Sequence, residues 1–350
     1  MYRNTYAEIN LKNINYNVNK IIEKYNNYKY YIGVVKADSY GHNSNKVVKQ
    51  IIDGGCNYLA VSSLDEALII RKNYKIPILC LEPINTKYIK ICETNKIDIT
   101  VTNYEYAKKI KNYNLNIHIK IDTGMNRLGV KEQEEFDNIY NLLEKSNCKI
   151  KGIYTHIYNY SSKNNTKKQI DKFKNITKNI DLNKIDMIHI AQSDTLINYD
   201  KIPFCNGIRL GIIMYNLNDN NLKLKDTISL VSEIIEIKKI KKGETVGYNG
   251  IYKAKKDEII GIVSIGYADG VNRNLTNSYV YINDKKYKII GNICMDMLMV
   301  RIDESVKCND KVYVYKDSNH IKELSNYINT IPYELICSIS KRVPRKYINK

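Results

Sequence analysis

Residues 30–43 read YYIGVVKADSYGHN, an apolar run that reaches a lysine and continues into polar residues. The apolar run predicts a short buried strand over residues 30–37, with Lys36 at its C-terminal end. A charged ammonium is rarely found at the end of a buried strand unless it is paired with another group. A lysine can also extend from a strand end into water, so both interpretations of Lys36 stay open at this point.

Similar apolar runs recur at a steady pace after this stretch. Seven further candidate strands are residues 58–61, 76–81, 97–101, 116–122, 151–157, 186–190 and 208–213. The segments between them, such as residues 63–73 and 132–146, carry apolar residues at helical spacing and acidic residues near their starts. Eight β/α units in succession predict an α/β fold with a parallel (β/α)8 TIM barrel.

The pattern changes after about residue 223, where successive strands are separated by Gly or Asn-Asp turns. These candidate strands are residues 227–240, 258–268, 279–282, 286–293, 297–302 and 311–315. The polar stretch 217–226 has few apolar anchors and reads as a connection. We therefore expect a barrel domain over residues 1–222 and a mainly β C-terminal domain over residues 223–350.

The chain has 350 residues and a net charge of +18, from 55 Lys and Arg against 37 Asp and Glu. Such an excess could indicate a nucleic-acid or membrane partner. However, the basic residues are mostly single lysines scattered among Asn, Ile and Tyr, without a long arginine-rich run. This distribution is typical of a solvated surface, and we expect neither nucleic acid nor membrane as a partner.

The eight cysteines are spread along the chain, with no CxxC pair and no His/Cys cluster at zinc spacing. They indicate reduced thiols and no metal site. The N-terminus lacks an apolar signal segment, and no stretch approaches the roughly 20 apolar residues of a membrane span. We expect a soluble, cytoplasmic protein.

In a TIM barrel the βα loops gather at the C-terminal ends of the strands, so polar residues at those ends form one group. They are Lys36, Tyr40, Lys120, Asp122, Arg127, His156, Ser193 and Arg209. Taken singly, His156 could be a core histidine, Arg127 a surface ion pair and Ser193 a helix N-cap.

Their convergence favours a functional interpretation, because two arginines, two lysines and a histidine on one rim repel each other. An anionic ligand would compensate this repulsion. Ser193 and Gly211 follow the seventh and eighth strands, the region where barrels commonly bind phosphate. A phosphorylated cofactor beside a strand-end lysine predicts a Schiff base on Lys36, whose pKa would be lowered by burial among cations.

Longer motifs extend this interpretation to the whole chain, which resembles the alanine racemase family of pyridoxal-phosphate enzymes. The matching stretches are AEINLKNINYN (7–17), VVKADSYGH (34–42), KIDTGMNRLG (120–129), IRLGIIMY (208–215), GETVGYNGIYKA (243–254), IGYADGVNR (265–273), GNICMDM (291–297) and YELICSISKRVPRKY (333–347). The resemblance implies a TIM-barrel N-terminal domain that binds pyridoxal 5'-phosphate and a β C-terminal domain.

The resemblance also implies roles around the cofactor. Lys36 would hold pyridoxal phosphate as an internal aldimine and act as one catalytic base, and Arg209 would face the ring nitrogen. His156 would pack beside the ring and support Arg209. The positions that match phosphate contacts are Tyr40, Ser193, Gly211, Ile212 and Tyr333.

Further matched residues concern the substrate and the second subunit. Tyr248 would be the second base, supplied to the other subunit's site. Arg127 would contact the cofactor hydroxyl and the substrate carboxylate, and Met295 would reach that carboxylate from the partner through its backbone. Lys120 matches a lysine that is often carbamylated in the family. A homodimer with shared active sites is therefore implied.

The implied reaction interconverts L- and D-alanine, supplying D-alanine for peptidoglycan. Lys36 and Tyr248 would act on opposite faces of the substrate. To act as a base near neutral pH, Tyr248 requires a cationic neighbourhood that lowers its pKa from the ordinary value of about 10. Arg209, effectively always protonated, would disfavour a second positive charge on the ring nitrogen and restrain transamination.

Several positions depart from the family pattern. The family commonly reads KANAYGHG where this chain has KADSYGHN, Gln192 replaces a usual asparagine, and HIYNYSS (156–162) lacks the usual small residue and acid. A serine or broader-specificity racemase would share most of the motifs. A fold-related decarboxylase is disfavoured because we find no counterpart of its cysteine-bearing site, and barrel-only cofactor-binding proteins lack the second domain.

Overall fold

The computed structural model describes residues 3–348 and divides the chain into two compact units. The barrel unit comprises residues 15–39 and 44–214. The β unit combines the residues up to 14, the short segment 40–43 and the chain from residue 215 onward. The predicted domains of residues 1–222 and 223–350 stay a prediction.

Strand β1 (Tyr6–Asn10) and helix α1 (Leu11–Lys24) open the chain, and eight parallel strands then close into a barrel. The barrel strands are β2 (Tyr30–Val34), β3 (Tyr58–Val61), β4 (Ile78–Cys80), β5 (Asp98–Val101), β6 (Asn116–Lys120), β7 (Lys149–Tyr154), β8 (Met187–His189) and β9 (Gly207–Leu210). The predicted fold and its eight strands are confirmed. Because β2 ends at Val34, Lys36 follows the strand rather than lying within it.

Helices alternate with these strands and include the two amphipathic segments predicted from sequence. They are α2 (Ser44–Asp53), α3 (Leu64–Arg71), α4 (Ile89–Asn95), α5 (Tyr104–Ile110), α6 (Gln133–Glu144), α7 (Lys163–Ile176) and α8 (Ser193–Asn198). Side chains of Ser63 and Ser162 cap α3 and α7 by accepting backbone N–H bonds. Helix α6 buries Phe136, Ile139 and Leu143 along one stripe.

The β unit adds further strands to β1: β10 (Ile228–Ile240), β11 (Thr245–Val246), β12 (Tyr252–Lys253), β13 (Glu258–Val263), β14 (Tyr279–Ile282), β15 (Lys285–Ile290), β16 (Leu298–Ile302), β17 (Lys311–Tyr315) and β18 (Arg345–Ile348). They form a mixed eight-stranded sheet in the order β13-β16-β15-β14-β17-β10-β1-β18 and a small β11-β12 hairpin. Asn283 and Asp284, both at positive φ, form the two-residue turn between β14 and β15.

Some elements of the β unit were missed by the sequence patterns. Strand β1 pairs antiparallel with β10 and parallel with β18, so the two ends of the chain share one sheet. Two helices, α9 (Ser318–Tyr327) and α10 (Pro332–Cys337), follow β17, so the unit is mainly β, as predicted. Within residues 3–348, no helix has both the length and the apolar character of a membrane span.

Candidate active site

The backbone after Lys36 forms a left-handed turn. Ala37, Asp38 and Ser39 have φ of 50–55° and ψ of 47–50°, and Tyr40 continues with φ 53°. Left-handed conformations cost non-glycine residues about 1–2 kcal/mol each, so other contacts must maintain the turn. The turn ends the parallel strand abruptly and fixes the direction in which the chain leaves Lys36.

Hydrogen bonds within the barrel unit hold this turn. The backbone N–H of Ala37 donates to Glu66 Oε1 at 2.7 Å, and that of Ser39 donates to the carbonyl of Val35 at 3.0 Å. Asp38 Oδ1 accepts from the N–H of Ser44 at 2.8 Å, and the Ser39 and Ser44 hydroxyls are 2.9 Å apart. Asp38 and Ser39, two of the three residues by which KADSYGHN departs from the family pattern, therefore tie the turn to the start of α2.

The pKa values of Lys120 and His156 are lowered by burial and by the positive charges at this end of the barrel. Burial, followed by repulsion from Arg209, Arg127 and Lys36, lowers the pKa of Lys120 to about 7, although Asp122 opposes the shift. Burial and the cations Arg209, Lys120, Arg127 and Lys36 lower the pKa of His156 to about 3. His156 is therefore neutral near pH 7, and Lys120 is only partly protonated.

The loop after β6 brings Arg127 into this group. Asp122 Oδ1 accepts from the N–H groups of Gly124 and Asn126 at 2.8 and 3.1 Å, which folds the loop tightly. Lys120, Asp122, Arg127 and His156 then line one small cavity, whose other lining residues are Ile121, Thr123, Met125, Leu128 and Thr155. Four predicted rim residues are thus brought together, as the barrel prediction required.

Arg209 lies on β9 and is only 4% exposed. Its Nη1 donates to His189 Nδ1 at 2.8 Å and to the carbonyl of His189 at 2.6 Å. Its Nη2 donates to the carbonyls of Thr155 and Ile190 at 2.8 and 3.0 Å, and the guanidinium lies over the Tyr154 ring. His189 therefore supports Arg209 directly, and the charge of Arg209 contributes to lowering the pKa of His156. Sequence reasoning missed His189, whose one signal was a histidine within a short apolar strand.

Ser193 and Gly211 follow the neighbouring strands β8 and β9 and meet at the barrel rim. Ser193 begins α8, and its Oγ accepts a hydrogen bond from the N–H of Gly211 at 3.2 Å. The next residue, Ile212, is buried. Gln192, which departs from the family pattern, caps α8 by accepting from the N–H of Asp194 at 2.9 Å. The substitution of glutamine for asparagine thus keeps a capping oxygen at this position.

Four other predicted site residues belong to the β unit. The rings of Tyr40 and Tyr333 pack 5.8 Å apart, and burial raises the pKa of Tyr40. Tyr248 follows Gly247, which has φ 76°, and its side chain is 67% exposed. Met295 is also exposed, and its carbonyl accepts from the N–H of Ala268 at 3.0 Å.

A buried carboxylate anchors the segment that carries Met295. Asp269 accepts two hydrogen bonds from Arg3, at 2.8 and 2.6 Å, and one from Arg342 at 2.6 Å. Arg342 also bonds Asp296, the neighbour of Met295, at 2.6 Å. Burial would raise the pKa of Asp269, but these arginines and the N–H of Gly266 lower it overall. Sequence reasoning missed this cluster because its members come from distant parts of the chain.

Comparison with known proteins identifies the same family along the whole chain. The family model for the alanine racemase N-terminal domain matches residues 9–219, and that for the C-terminal domain matches residues 227–347. Alanine racemase 1 of Bacillus subtilis is 36% identical over 99% of this chain and 94% of that protein, and the alanine racemase of Clostridium tetani is 35% identical over 99% and 96%. The crystal structure of alanine racemase from E. faecalis superposes with a TM-score of 0.93, 31% identity and 99% coverage of both chains.

The Asp269 cluster predicts a pH-dependent contribution to stability. Asp269→Asn should lower the free energy of unfolding by about 2–3 kcal/mol at pH 7, because the arginines lose a charged acceptor. Since the folded-state pKa of Asp269 is lowered, this contribution is fully present above the unfolded-state pKa of about 4 and is lost progressively as the pH falls from there through the folded-state pKa. Denaturant unfolding at pH 7 and pH 3 measures both values.

Asp257→Asn is the matched control, because Asp257 forms an exposed ion pair with Lys241 in the same unit. It should change stability little at either pH. An Asp269→Asn effect that is absent at pH 7, or equally large at pH 3, would contradict the assignment.

Proposed function

Because this chain belongs to the alanine racemase family, we propose that it interconverts L- and D-alanine with pyridoxal 5'-phosphate and so supplies D-alanine for peptidoglycan. The observation that carries this proposal is the cluster of Lys120, Arg127 and Arg209 near Lys36 at the barrel end. An amine surrounded by fixed cations suits a cofactor that is both an aldehyde and an anion.

The residues of this chain fit pyridoxal phosphate. Lys36 supplies the amine for a covalent bond to the aldehyde. The Ser193 hydroxyl and the N–H of Gly211, together with the N–H of Ile212, supply donors for the phosphate, and the hydroxyls of Tyr40 and Tyr333 would add to them. When bound, the cofactor withdraws electrons from the Cα of an attached amino acid and makes its proton acidic.

Lys36 and Tyr248 would move the Cα proton from opposite faces. Lys36 Nζ takes or returns the proton on one face, and Tyr248 Oη acts on the other. The high exposure of Tyr248 and Met295 supports a role in a second subunit's site, since neither side chain is covered within its own chain. We therefore include a homodimer with shared sites in the proposal.

Arg209 and His156 would orient the cofactor and limit side reactions. Three backbone carbonyls and His189 hold the guanidinium of Arg209 in one orientation. A guanidinium at the ring nitrogen disfavours protonation there, which restrains transamination. His156, being neutral near pH 7, can pack against the ring without adding another cation.

Arg127 would bind the substrate carboxylate, and the backbone of Met295 from the partner would assist it. The anchoring of the Met295 segment by the Asp269 cluster supports this assignment, because a backbone group can position a carboxylate only if its own segment is fixed.

We place the enzyme in the cytoplasm, with a small amino acid as its substrate and no nucleic-acid or membrane partner. The cysteines support this location. None of the eight, all within residues 3–348, forms a disulfide, as expected of a reducing compartment.

The racemase assignment predicts D-alanine formation from L-alanine. Wild-type protein supplied with pyridoxal phosphate should form D-alanine, and Lys36→Ala should form none because both the covalent attachment and one base are lost. D-serine formation and carbon dioxide release, measured in parallel, separate alanine specificity from a serine racemase and a decarboxylase. Absence of either D-amino acid with wild-type protein would refute the proposal.

Shared sites predict complementation between two inactive variants. Mixing Lys36→Ala and Tyr248→Phe subunits should restore about one quarter of wild-type activity, because half of the randomly mixed dimers carry one intact site. Mixing Lys36→Ala with the Lys36→Ala/Tyr248→Phe double variant is the control and should restore none. No recovery after verified subunit exchange would refute the shared site.

Lys120 is proposed to carry a carbamate. Its pKa of about 7 leaves much of the amine neutral near pH 7, and only the neutral amine reacts with carbon dioxide, releasing a proton. The product would be an anion that pairs with Arg127. Incubation with ¹³C-bicarbonate should give a carbamate carbon signal in wild-type protein that Lys120→Ala lacks; identical spectra would refute the modification.

A further inference from the structure

The interior of the barrel holds a continuous chain of buried polar side chains that ends at Arg209. The Tyr58 hydroxyl donates to Asp98 Oδ2 and lies 3.3 Å from His118 Nε2. His118 Nδ1 is 3.0 Å from His189 Nε2, and His189 Nδ1 is 2.8 Å from Arg209 Nη1. None of these side chains belongs to a residue more than 4% exposed. We call these five residues the barrel relay.

The barrel relay crosses the barrel from one end to the other. Tyr58 and Asp98 are the first residues of β3 and β5, and His189 is the last residue of β8. Interiors of such barrels are ordinarily filled by branched apolar side chains. Gly152 makes room for the relay, because a Cβ at this position would overlap the imidazole of His118. Tyr154 stacks on His189, with ring centroids 4.5 Å apart, and restricts the rotation of that ring.

The hydrogen bonds of the relay have one direction. A guanidinium has only donors, so His189 Nδ1 must accept from Arg209. Burial, then repulsion from Arg209, lowers the pKa of His189 well below its ordinary value, so the ring is neutral and its proton lies on Nε2. His189 therefore donates to His118 Nδ1, which leaves the proton of His118 on Nε2, facing the Tyr58 hydroxyl. Tyr58 in turn donates to Asp98.

This direction joins a buried cation to a buried carboxylate through His189, His118 and Tyr58. Burial lowers the pKa of Arg209 to about 10, which shows that the site disfavours its charge. Within residues 3–348, no carboxylate forms an ion pair with Arg209. Each group in a chain of aligned hydrogen bonds polarises the next, so Asp98 can stabilise the distant guanidinium through the relay. Asn116 Nδ2 also donates to Asp98, at 3.2 Å, and holds the carboxylate in place.

We infer that Asp98 is a positioning residue for Arg209, acting through Tyr58, His118 and His189. It fixes the tautomers of both histidines, keeps His189 Nδ1 as an acceptor, and so holds the guanidinium in one orientation and in its charged form. The consequence for the reaction rests on the proposed function, in which Arg209 faces the ring nitrogen. Without Asp98, control of protonation at that nitrogen weakens, so racemisation slows and transamination gains.

Histidine-ring ¹⁵N NMR of the full-length protein tests the relay independently of activity. Wild-type protein should show His118 and His189 neutral and protonated at Nε2. Asp98→Asn should shift the ring signals of both histidines, because the end of the relay loses its anion. Thr100→Val is the matched control, because Thr100 lies on β5 like Asp98 but outside the barrel relay. The substitution removes a buried hydroxyl that hydrogen-bonds the Tyr154 hydroxyl and the Cys80 carbonyl. In Thr100→Val, His118 and His189 should keep their wild-type tautomers.

A proton on Nδ1 of either wild-type ring would overturn the inference. An unchanged His189 signal in Asp98→Asn would overturn it as well. If Asp98→Asn does not fold, Tyr58→Phe carries the same test, because it removes the hydroxyl that joins His118 to Asp98 while keeping the ring.

Kinetics test the consequence. Asp98→Asn should lower kcat for alanine racemisation about tenfold and leave KM within about twofold, since Arg209 does not bind the substrate carboxylate. Pyruvate, formed when the amino group of alanine passes to the cofactor, should increase relative to D-alanine. Tyr58→Phe should change both quantities in the same direction, and Thr100→Val should change neither.

If Asp98→Asn and Tyr58→Phe both racemise alanine at the wild-type rate despite altered histidine signals, the positioning role is overturned. If wild-type protein does not racemise alanine, the proposed function fails, while the NMR result still decides whether the relay exists.

Discussion

The mutual repulsion of cations fixed at one end of the barrel is the constraint on which the proposed site depends. Lys120, Arg127 and Arg209 are positioned by strands and a tight loop, so they cannot separate to relieve it. Burial, and after it this repulsion, lowers the pKa values of Lys120 and His156. Three proposed sources of negative charge would compensate these cations. They are the phosphate of the bound cofactor, the carbamate on Lys120, and Asp98, which acts through the barrel relay.

Three stretches that depart from the family pattern have local partners that explain how the chain tolerates the changes. Asp38 and Ser39 lie in the strained left-handed turn after Lys36, and both bond Ser44. Gln192 retains an oxygen that caps α8, the helix that begins with Ser193. These substitutions change the supporting contacts and leave Lys36 and Ser193 themselves in place. After His156, Asn159 Oδ1 accepts from the Ser161 hydroxyl at 2.8 Å and from Asn165 Nδ2 at 3.3 Å, and Ser162 caps α7.

The sequence predicted the barrel well because each strand is a short, buried, β-branched run, a signal that is local. The rim residues followed from the rule that strand ends converge. Strands β1 and β18 could not be found this way, since they form by pairing between the two ends of the chain. The support of Arg209 by His189 and the binding of Asp269 by Arg3 and Arg342 are likewise tertiary contacts, which no spacing in the sequence encodes. The individual roles assigned to the site residues stay predictions.

The most direct test of the central claim is chemical trapping of the cofactor. Protein incubated with pyridoxal phosphate is reduced with borohydride, which converts a carbon–nitrogen double bond to a stable single bond, then digested and mapped by mass spectrometry. The account predicts a phosphopyridoxyl group on the peptide that contains Lys36, with Lys120 unlabelled. Labelling of another lysine in place of Lys36, or no stable label at all, would contradict it.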